Sequence, residues 1–167
     1  MNKMSPSRPA RDADAMDRAA GLNPRGAIFA ARAGRPEFVD GAEACRVAVL
    51  SPQDDLGLSL PLRQAIARRA ALSSGNPRLI AGYPAPDDAA LSALAEGDTP
   101  TTPREAALAR HTDLIAHEPG RSTAQDLEQL QEAGLSVAQV IAVSELLAYV
   151  CFEVRVAHGL ALLEDAS

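Results

Sequence analysis

LSLPLRQAIARRAALSSGNPRLIAGY, Leu58 to Tyr83, is the stretch from which the fold can be read. It predicts a helix over 60–72, a Ser-Ser-Gly-Asn-Pro break, and a second short helix that opens at Pro77. Asn76 is suited to cap that second helix. Pro77 suits its first turn, because proline lacks only an N–H that would have no intrahelical partner there. A helix N-terminus entered from a tight break stabilises anions and thiolates, so this break is the first place to look for chemistry.

Around it, the composition points to helices. The chain has 167 residues, enough for one domain that buries about 68–70% of its unfolded surface. Aromatic residues make up only 3% and Trp is absent, so the core has to be built from alanine and aliphatic side chains at close helix contacts. An all-α fold follows. The net charge of −6 and a pI near 5.0, with no Lys/Arg cluster, argue against a nucleic-acid or anionic-membrane partner. Cys45 and Cys151 lie far apart with no Cys-x-x-Cys, which implies neither a zinc site nor a disulfide framework and fits a reducing cytoplasm. The first residues, MNKMSPSRPARDAD, hold no apolar run, so no leader is expected there. The longest apolar segment, VIAVSELLAYVCF, is interrupted by Ser144 and Glu145 and reads as too short to span a bilayer. The expectation is a soluble, cytoplasmic protein with no membrane partner.

Outward from the central stretch, residues 1–11 read as a flexible tail and 12–167 as a single helical domain. Helices are expected over 12–22 and 26–33 and from Pro36, where Phe38, Val39, Ala42, Cys45 and Val49 share one side. Cys45 is thus expected in the core. The Asp54-Asp55 pair reads as a solvated turn, since no third ligand sits at a supporting spacing, and Ser59 reads as the cap of the central helix. Pro84 to Ala95 reads as a helix. Thr102-Pro-Arg-Glu105 is a capping box that opens another, ending near His117. His111 and His117 are six apart, on different faces, so no metal is expected, whereas Asp113 and His117 suit a helix-end pair. A helix over 124–133 ends at Gly134, and Ser136 with Gln139 boxes the start of the last and longest, 137–163.

That last helix is apolar nearly all round, the mark of a buried spine or a subunit interface. At about 100° per residue, Ser144, Cys151, Arg155 and His158 fall on a single stripe, while Glu145 and Glu153 point elsewhere. The stripe is a candidate site in which Arg155 anchors an anion, with Tyr83 or Tyr149 as rim residues. The structural alternative is an ion pair of Arg155 with a carboxylate of the same or a neighbouring subunit.

A gapless overlay of 58–83 on 135–160 aligns Leu58-Ser59 with Leu135-Ser136, Arg78 with Arg155 and Gly82 with Gly159, which suggests a duplicated helical hairpin. With the segments GLNPRGAIFAARAGRPEFV, 50–83 and 117–160, the chain resembles the carboxymuconolactone decarboxylase and alkylhydroperoxidase D-like superfamily, in particular its peroxidase-related branch. The resemblance implies an alkylhydroperoxidase D-like helical bundle with an internal hairpin repeat, assembled as a homo-oligomer. In thiol-active members a Glu on the first helix precedes Cys-x-x-Cys-x-x-x-His at the break. Here Asn76 and Leu79 stand at the two cysteine positions and Tyr83 at the histidine position, and no Glu stands near Arg63 or Gln64. A thiol peroxidase needs a thiolate and a resolving partner, and this break supplies neither. Cys151 and His158 reproduce the spacing of the first Cys and the His, with Val154 between them, but outside the segment where the redox pair belongs.

Three functions stay open on the sequence. One is a non-peroxidatic member of the superfamily, either a binding or structural oligomer or an enzyme on an unidentified small molecule. Another is an antioxidant peroxidase that uses Cys151 as its single thiol, with Arg155 favouring the thiolate and His158 donating the proton. The third is acid-base, lactone decarboxylase-like chemistry through His158 and Arg155. No cofactor is expected. The expected partners are other copies of the chain and a small organic acid or peroxide.

Overall fold

The computed structural model describes residues Arg11–Ser167 and is all-helical, without strands among them. The predicted tail lies almost wholly outside the described residues. The helices are α1 (Ala15–Ala20), α2 (Ala27–Ala33), α3 (Pro36–Leu50), α4 (Leu60–Leu72), α5 (Pro77–Ala81), α6 (Ser92–Ala95), α7 (Pro103–His117), α8 (Ala124–Glu132) and α9 (Val137–Asp165). Their starts follow local chemistry. Pro36, Pro77 and Pro103 sit in first turns, and the Asn76 side chain accepts the N–H groups of Arg78 and Leu79. The Thr102 hydroxyl accepts from the Glu105 N–H, and Ser136 and Gln139 satisfy one another's backbone N–H groups. Gly21 ends α1 at φ 69°, a left-handed conformation that glycine adopts without a steric penalty.

α4 is the centre of the fold. Ala65, Ile66, Ala67, Ala70 and Ala71 are buried, and their small side chains let α4 lie against α9, α7 and α6. α9 contributes Val143, Leu146, Leu147 and Val150 to the same core, α1 packs on α9 and α5, and α3 covers another side of α9. Two arginines of α4 lock its surroundings. Buried Arg63 donates to the carbonyls of Leu58, Val49 and Asp55 at 2.9, 2.9 and 3.0 Å, holding the 51–59 loop, and burial lowers its pKa. Arg69 grips both oxygens of Asp113 on α7 at 2.7 and 2.6 Å and the carbonyl of Asp98 at 2.8 Å.

Several local expectations are corrected. Ser59 precedes α4 without a side-chain capping bond. Residues 84–88 stay non-helical, and a 3₁₀ turn at Ala89–Leu91 leads into the single turn of α6. Asp113 gives its carboxylate to Arg69, and His117 meets only the Asp113 carbonyl. Cys45 is exposed, as is Phe38, because the apolar side of α3 extends past the part that α9 covers. The two segments of the sequence echo also differ: the first breaks at 73–76, whereas the second lies within unbroken α9. The 29 residues of α9 are long and apolar enough to cross a membrane by length and composition alone, which corrects the reading of too short a segment. Half of its most apolar window is buried in the protein.

Candidate functional site

A cluster of buried polar groups lies where α3, the end of α5 and α9 meet. Glu153 is only 2% exposed, on a helix whose other buried side chains are nearly all apolar. Its Oε2 accepts from Arg46 Nη1 at 2.9 Å and from the Tyr83 hydroxyl. The second guanidinium nitrogen, Nη2, donates to the Gly82 carbonyl at 2.6 Å, and the guanidinium lies over the Tyr83 ring, 4.5 Å from its centroid. Tyr149, one turn before Glu153, is buried beside them.

The electrostatics follow from this packing. Burial and the adjacent Glu153 carboxylate push the Tyr83 hydroxyl well above its usual pKa, and the same two causes raise Tyr149. Both phenols therefore stay protonated, and the Tyr83 hydroxyl donates to Glu153. Burial opposes the charge on Arg46, but the neighbouring phenols and the carboxylate outweigh it and raise its pKa. A carboxylate held by an arginine and a phenol at a three-element junction fastens those elements together, and its bonded oxygen has two donors already.

The residues singled out from sequence divide between two sides of α9. Tyr83 and Tyr149 stand on the side that meets α3, at the Glu153 cluster, and are buried; they are not rim residues of a site at Arg155. Leu79 is buried in the core, and Asn76 caps α5 and donates to the Ala19 carbonyl at 3.0 Å. Ser144, Arg155 and His158 are exposed, and Cys151 is half-buried with Sγ 3.9 Å from the Ile115 carbonyl. Arg155 donates to the Cys151 carbonyl at 3.0 Å and makes no ion pair among the described residues. Its guanidinium thus meets backbone and solvent, and the same-subunit carboxylate partner is not found. Cys45 and Cys151 lie apart: Cys45, on α3, lines a groove against α9, and Cys151, on α9, approaches α7. Among the described residues no group of three or more His, Cys, Asp or Glu is placed to hold a metal.

Arg46 and Glu153 were missed from sequence. Glu153 follows Tyr149 by four and Val150 by three, both buried, so its helical position alone places it on the inner face. Beside the cluster, between α3 and α9, runs an apolar groove of about 540 Å³ lined by Phe38, Gly41, Ala42 and Cys45 on one wall and Glu145, Ala148, Tyr149 and Phe152 on the other. Comparison of the chain with family models, curated proteins and solved structures finds no match.

Proposed function

We propose that this chain is a homo-oligomeric, non-peroxidatic protein of the carboxymuconolactone decarboxylase and alkylhydroperoxidase D-like kind. In this reading its polar centre, Arg46, Glu153 and Tyr83, holds helices together and turns over no peroxide. One observation carries it: at the α4–α5 break every position that a thiol enzyme would use is committed to structure. Asn76 caps α5, Leu79 fills the core and Tyr83 bonds Glu153. The single-thiol alternative gains nothing from the surroundings of Cys151, because Arg155 reaches the carbonyl of that residue and not its sulfur.

The test is consumption of hydrogen peroxide and of an organic hydroperoxide with a dithiol reductant, by the wild type and by Cys45→Ser and Cys151→Ser. Turnover by the wild type at the buffer rate is expected. Turnover above that rate that disappears in Cys151→Ser alone overturns the reading and makes Cys151 a peroxidatic thiol.

A further inference from the structure

The outward face of α9 carries a pattern that is its own mirror image. Val137, Ile141, Glu145, Ala148, Phe152, Arg155, Gly159 and Leu163 are all exposed, and they follow one another in steps of four, four, three, four, three, four and four. These steps keep them on one stripe of the helix. They are also symmetric about Val150, so reversing the helix exchanges Glu145 with Arg155, Ala148 with Phe152, Ile141 with Gly159 and Val137 with Leu163.

Resting on the reading that the chain is oligomeric, we infer that α9 packs antiparallel against α9 of a second copy, with the two-fold axis level with Val150. In that register Glu145 faces the partner's Arg155 and Phe152 faces the partner's Ala148, each twice by symmetry. Ile141 lies over the partner's Gly159, and Val137 meets the partner's Leu163. Every pair is thus opposite in charge, large against small, or apolar against apolar.

Charge selects this arrangement over the alternatives. Glu145 and Arg155 are the only exposed Asp, Glu, Lys or Arg on α9 between Val137 and Leu163, and neither has an ion-pair partner among the described residues. A parallel pair related by a two-fold axis sets Glu145 on Glu145 and Arg155 on Arg155. An antiparallel pair shifted by one heptad leaves both charges opposite apolar or small residues.

Shape agrees. The groove between α3 and α9 opens beside Ala148, where the partner's Phe152 arrives, and its other wall is the apolar flank with Phe38, 63% exposed. From Val137 to Leu163 the stripe is about 39 Å long at 1.5 Å per residue. The α3 flank widens this stripe toward the size of a standard interface, which buries on the order of 800 Å² per partner.

The test is molar mass by light scattering or sedimentation at low micromolar concentration, with far-UV circular dichroism as the check on folding. Ala148 is exposed, so Ala148→Arg leaves the isolated fold intact while blocking the helix seam. The wild type is expected as a dimer or a multiple of one, and Ala148→Arg at half that mass with unchanged helicity. Glu145→Arg and Arg155→Glu each weaken self-association by about tenfold or more. The combined Glu145→Arg/Arg155→Glu variant restores it, because each new charge again faces its opposite. A wild-type monomer refutes the oligomer reading and this register together. A wild-type oligomer that Ala148→Arg leaves unchanged refutes the α9 face and spares the oligomer. A double variant as weak as the single ones refutes the antiparallel register. A wild type that co-sediments with phosphatidylcholine vesicles refutes the second copy as occupant and gives the stripe to a lipid surface.

Discussion

Arg46→Met is the substitution that bears most directly on the polar centre. Arg46 is 14% exposed and Glu153 2% exposed as side chains, so their ion pair lies largely out of water. Methionine preserves much of the aliphatic stem of Arg46, but it removes the guanidinium over the Tyr83 ring and leaves the Glu153 carboxylate with only the Tyr83 hydroxyl as donor. Removing one member of a buried pair costs about 3–5 kcal/mol, mostly because a charge is left buried without its counter-charge. At 167 residues, with 1 kcal/mol moving the melting temperature by about 2–4 °C, the midpoint should fall by on the order of 10 °C. Glu153→Gln should cost less, about 1–3 kcal/mol, since the amide can still accept from Tyr83 and the arginine left behind is the more exposed partner.

The decisive comparison is the double variant Arg46→Met/Glu153→Gln. With neither charge present no ion is stranded, so it should be more stable than Arg46→Met alone, with a coupling of roughly 1–3 kcal/mol. Urea unfolding at neutral pH, followed by circular dichroism, measures all four corners of the cycle. If the two single costs simply add, or if Arg46→Met costs less than about 1 kcal/mol, the pair is not the fastening of α3 to α9 described above.

Titration gives two further predictions. Tyr83 and Tyr149 have folded-state pKa values raised above the ordinary value near 10, so both states keep these protons below pH ~10. Above it the unfolded chain ionises first, and stability falls by up to about 1.4 kcal/mol per pH unit for each phenol. Tyr83→Phe should reduce that alkaline slope in urea midpoints measured from pH 9 to 11, and an unchanged slope would show that Tyr83 does not carry it. His111 is buried on α7 with Nδ1 unpartnered, and burial lowers its pKa below 6.5. Its contribution is present above that value and is lost as pH falls through the folded pKa, because the unfolded imidazole takes up the proton first. His111→Phe should flatten the stability profile between pH 4.5 and 7, as read by thermal melts, and an identical loss in both proteins would remove His111 as the cause.

The helices were legible because their signals are local. Proline in a first turn, Asn76 before Pro77, Thr102 ahead of Glu105 and Ser136 ahead of Gln139 fix helix starts through bonds that span three residues or fewer, and no tertiary contact is needed to see them. Helical propensity alone extended too far at 84–88, where two prolines keep the chain open and helix begins only beyond Asp88. The sequence echo failed as a guide to shape for a related reason. The Gly75-Asn76-Pro77 break has no counterpart in 152–154, where Phe, Glu and Val continue the helix.

The site was less legible because its members are far apart in the chain and each is ordinary by itself. A wheel drawn on α9 gathers Ser144, Cys151, Arg155 and His158 into one stripe, and polarity makes that stripe look like the site. Polarity cannot say which side of a helix the rest of the fold will cover. On α9 the covered side holds Glu153, and the cation that makes its burial tolerable comes from Arg46, 107 residues earlier, on a helix whose register against α9 is set by packing. Cys45 shows the same limit from the other direction. Its neighbours Phe38, Ala42 and Val49 form an apolar side, and a monomer leaves part of that side open. Hydrophobic periodicity marks a surface that avoids water, and what covers it, the same chain or a second copy, is decided by shape and charge at longer range. On α9 the proposed two-fold register draws on such longer-range information: Glu145 and Arg155, equally far from Val150, are of opposite charge and unpaired within the described residues.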